Sequence, residues 1–71
     1  MKNQIKGFDK RLLEAIENKN MSNRQVALLI GIPYSCMNGY VNRGQLPSCK
    51  NLVKLSKLLG VSTDWLLGLE E

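Results

Sequence analysis

The chain has 71 residues, 44% hydrophobic and 23% charged, enough for one small domain and too few for two. Ten Lys and Arg against six Asp and Glu leave a net charge of +4, and the pI of about 9.3 falls in the range of nucleic-acid binders. Histidine is absent, which removes the commonest general base and the commonest metal ligand together. No apolar run approaches the ~18 residues of a membrane span. Two cysteines, in a chain that begins at Met1 without a charged segment leading into an apolar run, point to a reducing, cytoplasmic setting. A core this small is marginal and often needs a second copy of itself. Charge is also unevenly placed. Between Glu17 and Asp64 lie Lys19, Arg24, Arg43, Lys50, Lys54 and Lys57 and no acidic residue. This predicts a basic face, serving either as a solvated surface or as an attractor of polyanions.

Residues 1–7 and 70–71 read as tails around a domain over 8–69. Phe8, Leu12, Ala15 and Ile16 follow the spacing of an amphipathic helix over residues 8–18, with Asp9 at its start. Ser22-Asn23-Arg24-Gln25 has the pattern of a capping box, so a second helix starts abruptly there. Its expected apolar face is Val26, Leu29 and Ile30, and Gly31 ends it. A third helix enters at Pro33, carries Met37, Tyr40 and Val41 inward, and closes at Gly44. Pro47-Ser48 opens a fourth, with Leu52, Leu55, Leu58 and Leu59 inward until Gly60. Ser62 caps a short fifth helix through Trp65, Leu66 and Leu67. The predicted class is therefore all-α, five helices joined by tight turns.

Two helices joined by a short glycine-containing turn form either a helix-turn-helix, whose second helix enters the DNA major groove, or an ordinary hairpin of a bundle. Residues 23–42 have this form, with Ala27 and Gly31 as the small residues at the crossing. Three ordered stretches bear on the choice: Met21-Ser22-Asn23-Arg24-Gln25-Val26-Ala27, the run from Met37 to Ser48, and Leu58-Leu59-Gly60-Val61-Ser62-Thr63-Asp64-Trp65-Leu66-Leu67-Gly68. They resemble, in that order, the entry to helix two, the third helix with its following turn, and the ending of the lambda-repressor-like (Cro/C1, XRE-type) DNA-binding domains. The resemblance covers nearly the whole chain from Phe8. It implies a compact five-helix fold and sequence-specific binding of a double-stranded DNA operator by a bacterial or phage regulator of transcription, most simply a repressor.

Projected at about 100° per residue, helix three sets Ser35, Asn38, Gly39 and Asn42 opposite its apolar stripe. That face is the candidate base reader. An asparagine can bind adenine through N6 and N7 together, which makes Asn38 the first choice. The resemblance places base-reading side chains also at Tyr34 and Ser35, although Tyr34 could instead cover the turn and Ser35 bond nearby backbone. Gly39 costs a helix roughly 1 kcal/mol relative to alanine; close approach of the backbone to the groove wall is its expected reason. Asn23 stands where the resembled family has a phosphate-clamping glutamine. With Arg24, Asn42, Arg43 and Lys50 it makes the candidate phosphate set. Lys2 and Lys6 offer an arm or an unstructured terminus.

Trp65, Leu66 and Leu69 give the last helix more apolar surface than so short an element easily buries. They are the candidate contact of a homodimer spanning two half-sites, unless Trp65 closes the monomer core. Cys36 and Cys49 cannot complete a zinc site without further ligands. No cofactor is expected, nor any catalytic constellation, so the chain is not read as an enzyme. An antitoxin, or a protein-interaction adaptor on the same fold, is the alternative function.

Overall fold

Five helices and no strand are formed by residues 7–70, the part of the chain that the computed structural model describes. They are α1 (Phe8–Asn18), α2 (Asn23–Ile30), α3 (Tyr34–Asn42), α4 (Cys49–Leu59) and α5 (Thr63–Leu66). The all-α class and the five helices expected from the sequence are those found. Apart from Gly7, which caps α1 at φ 79°, the expected N-terminal tail with Lys2 and Lys6 lies outside the described residues, as does Glu71.

Local chemistry accounts for the helix starts. The Ser22 hydroxyl accepts the Gln25 N–H at 3.1 Å and the Gln25 side chain accepts the Ser22 N–H at 2.8 Å, closing the capping box in front of α2. Ser48 and Ser62 accept the N–H three residues on, from Asn51 and Trp65. At the α1–α2 turn, by contrast, Asn20 adopts φ 56°, and it is the one non-glycine residue in the left-handed region among those described. The asparagine side chain makes that conformation less costly than for other residues.

α1 packs on α3 and α5, α2 on α3 and α4, and α4 on α5. The core they enclose takes Phe8, Leu12, Ala15 and Ile16 from α1, and Val26, Ala27 and Ile30 from α2. Met37, Tyr40 and Val41 come from α3, Leu55 and Leu59 from α4, and Leu66 from α5. The Phe8 and Tyr40 rings meet edge to face with centroids 6.5 Å apart, a favoured aromatic geometry that locks α1 to α3. Leu52, Leu58, Ile32 and Trp65 pack partly buried against this centre.

Leu29 departs from expectation: it is 62% exposed, and the α2 residue buried in its stead is Ala27. Val26, Ala27 and Ile30 span about 100° of the helix, and Leu29 lies about 100° away from the middle of that arc. The small Ala27 lets α3 come close, and that approach turns the buried arc toward Ala27 and away from Leu29. Glu70, expected in the C-terminal tail, has partners in the fold. Arg11 donates to the backbone oxygens of Trp65 at 3.0 Å and Glu70 at 2.9 Å while its guanidinium lies over the Trp65 ring. The Ser62 hydroxyl donates to the Glu70 carboxylate. Among the described residues no helix is long and apolar enough to cross a membrane.

Candidate nucleic-acid interface

The turn between α2 and α3 is three residues, Gly31-Ile32-Pro33. Gly31 takes φ 76°, and its N–H bonds the Ala27 carbonyl, as does that of Ile32. A side chain other than glycine is strained at that angle, so the sharp reversal into α3 depends on this residue. Pro33 supplies the extended N-cap of α3. Lys54 reaches from α4 to the Ile30 carbonyl at 3.3 Å, placing a cation at the negative end of the α2 dipole.

α3 is held from beneath by its tyrosine. Tyr40 is buried, and its hydroxyl accepts hydrogen bonds from Asn51 Nδ2 at 3.1 Å and Cys36 Sγ at 3.3 Å. One bond runs along α3 and the other crosses to the first turn of α4. Burial pushes the Tyr40 phenol above its usual value, and the bond from Cys36 adds to the rise while that from Asn51 opposes it. Cys36 is half-buried and Cys49 exposed, both as free thiols.

The outer surface of α3 is polar. Tyr34 and Ser35 are exposed at its leading end, Asn42 is exposed near its last turn, and Asn38 is half-buried. The Asn42 amide donates to the Asn38 side-chain oxygen, which leaves the Asn38 NH2 group as its outward donor. The Arg24 guanidinium lies 4.2 Å from the Tyr34 ring centroid, a cation–π distance. A candidate phosphate residue and a candidate base reader thus form one unit bridging α2 and α3. Asn23 is half-buried in the first turn of α2. With the Gln25 N–H taken by Ser22, the N–H groups of Asn23 and Arg24 are the ones left without an intrahelical acceptor.

Two expectations change here. Gly39 lies on the outer arc of α3 as projected, yet it is buried, because the exposed side chains of Gln45 and Arg43 fold over it. A Cβ at Gly39 would stand 2.0 Å from Gln45 Oε1 and 2.9 Å from Arg43 Nη2, so the helix backbone is covered there and not bared for a groove wall. Leu66 has no exposed surface at all and belongs to the core. Of the three residues expected at a dimer contact, Trp65 is half-buried under Arg11 and Leu69 is 67% exposed.

The six unopposed cations are all exposed. Arg24 and Arg43 border α3, Lys50 lies on the first turn of α4, and Lys54 is committed to the end of α2. Lys19 sits beside Gly60 at the end of α4, its ammonium 3.7 Å from where a Cβ would stand. Gln45, Asn51 and Arg11 were not singled out by the sequence. A glycine inside the polar arc of a helix was the one signal that something else occupies that space.

The profile of the Helix-turn-helix family matches residues 12–66. The chain is also 38% identical over 60 residues to the SPbeta prophage-derived uncharacterized HTH-type transcriptional regulator YonR of Bacillus subtilis (strain 168). That match covers 84% of this chain and 56% of the relative, so the chain spans about half of the relative's length. No solved structure matches the chain.

Proposed function

Because the chain belongs to the Cro/C1-type (XRE) helix-turn-helix family, we propose that it is a sequence-specific double-stranded DNA-binding regulator of transcription, of bacterial or phage origin. The observation that carries this is the α2–turn–α3 unit, whose second helix turns Tyr34, Ser35, Asn38 and Asn42 away from the core. The relative's name as a transcriptional regulator supports the same reading. α3 enters the major groove with Asn38, Ser35 and Tyr34 toward base edges. Asn23, through the free N–H groups of α2, and Arg24, Asn42, Arg43 and Lys50 grip the strands on either side. Two copies bind neighbouring half-sites, touching through Leu69 and the exposed part of Trp65. Occupation of the operator then blocks polymerase.

Salt tests this directly. Three cations per copy, Arg24, Arg43 and Lys50, make six in a bound pair, so log affinity should fall with log salt at a slope of roughly −5. Raising salt fourfold then weakens binding on the order of a thousandfold. Asn38→Ala should relax preference at one base pair, and Lys50→Ala should weaken all duplexes alike. Affinity for duplex DNA that ignores salt would overturn the proposal. Exposed Leu28 and Leu29 on α2 favour a second reading, a protein-interaction adaptor. Partner binding through apolar residues would survive the same salt range.

A further inference from the structure

Gly39 sits at the edge of the polar arc of α3, with Ser35 and Asn42 on one side and the core stripe on the other. Its place on that arc is not vacant. The chain leaves α3 through Arg43, reverses at Gly44 with φ 66°, and brings Gln45 back over the helix. The N–H groups of both Arg43 and Gln45 donate to the Gly39 carbonyl, each at 3.1 Å. The backbone therefore anchors Gln45 to the very residue its side chain covers, and its amide oxygen lies 2.0 Å from the point a Cβ of Gly39 would take.

We propose that Gln45 supplies the side chain that Gly39 lacks and reads a base edge from the turn after α3. This rests on α3 being the DNA-reading helix. A glutamine amide donates and accepts together, as bidentate pairing with adenine N6 and N7 requires. Delivered over a glycine, it lies lower on the helix than a glutamine rooted at position 39 itself, whose longer reach would hold α3 away from the bases. Arg43, sharing the notch through Nη2 at 2.9 Å, directs its guanidinium to the adjoining strand. Alanine is the better helix former, and a Cβ at position 39 displaces only the far ends of two flexible, exposed side chains. Gly39→Ala therefore leaves the fold intact and removes Gln45 from its seat.

The experiment selects duplexes from a random-sequence DNA pool with the unaltered protein. It then measures affinities for the selected duplex and all its single base-pair variants, at fixed salt. The proteins compared are the unaltered chain, Gln45→Ala, Gln45→Glu, Gly39→Ala, the Gly39→Ala/Gln45→Ala double variant and Asn38→Ala, each checked by thermal melting. Gln45→Ala should lose about 5- to 150-fold on the selected duplex and lose discrimination at one base pair. Gly39→Ala should melt no lower than the unaltered chain and lose discrimination at that same pair, and the double variant should be no worse than Gln45→Ala. Gln45→Glu should shift the preference there toward cytosine, whose N4 donates to a carboxylate. An unchanged ranking of duplexes by Gln45→Ala, or losses from the two single variants that multiply at different base pairs, would overturn the assignment. If Asn38→Ala flattens one position while every Gln45 variant is silent, Gln45 is refuted and DNA reading by α3 stands. If the unaltered protein enriches no duplex, both fall.

Discussion

Replacing Leu66 by alanine separates the two roles its position suggests. Leu66 is fully buried and is the one core residue of α5. That helix has four residues, too few to persist without docking. Truncating a buried leucine removes its transfer energy and leaves a cavity, together ~2–5 kcal/mol. A 71-residue domain holds roughly 4–11 kcal/mol in all. The substitution therefore takes from about a fifth of the stability to all of it, and a mid-range cost lowers the melting temperature by about 20 °C. Urea unfolding followed by Trp65 fluorescence, at protein concentrations a hundredfold apart, reads the cost. If Leu66 serves the monomer core, the loss is the same at both concentrations. Leu69→Ala, which removes an exposed side chain, should leave the isolated chain within ~0.5 kcal/mol of the original. A Leu66→Ala cost below ~1 kcal/mol, or one that disappears on dilution as a lost subunit contact would, refutes the placement of α5.

Three further outcomes follow from the same geometry. Ser22→Ala removes both the acceptor and the reciprocal geometry of the capping box and should cost ~1 kcal/mol in urea titration, with no change in m-value. Leu29→Lys should change stability by less than ~0.5 kcal/mol, since the side chain is already mostly in water; a loss of several kcal/mol would return Leu29 to the core. Tyr40→Phe should cost ~1 kcal/mol at neutral pH through the bonds lost to Asn51 and Cys36. It should also flatten the alkaline limb of stability. The unfolded phenol loses its proton near pH 10 while the buried one keeps it, so the fold binds more protons there. Tyr40 then contributes fully below about pH 10, and that contribution is lost as pH rises through the folded value. Stability profiles of Tyr40→Phe and of Tyr34→Phe as control, taken from pH 8 to 12, decide this: a limb unchanged in Tyr40→Phe refutes it.

Helix starts were legible because each is a local event. The bond from Ser22 to Gln25 spans three residues, so the four-residue string contains all that the cap needs. The stripes of α1 and α3 were legible for a similar reason, since their buried residues recur at the helical period and that period survives in the string. α2 differs at Leu29 because the centre of a buried arc is set by the helix packed against it, which the string does not contain. The proposed reading surface was partly legible. Asn38, Ser35 and Tyr34 follow from the projection and from the resemblance to known domains, whereas the cover over Gly39 does not. That cover depends on how the chain doubles back at Gly44, and no spacing in the sequence encodes it.

By itself the sequence determined the five helices, the serine caps of α2, α4 and α5 and the family, because backbone hydrogen bonding and hydrophobic period act within a few residues. Tertiary structure alone decided which leucines are core and which are surface: Leu66 inside, Leu29 and Leu69 outside. It alone drew Arg24 over Tyr34, Arg11 over Trp65 and Gln45 over Gly39. Each of those contacts joins separate elements or brings the chain back across a turn, and it forms only once packing has brought both parts within a few ångströms of each other.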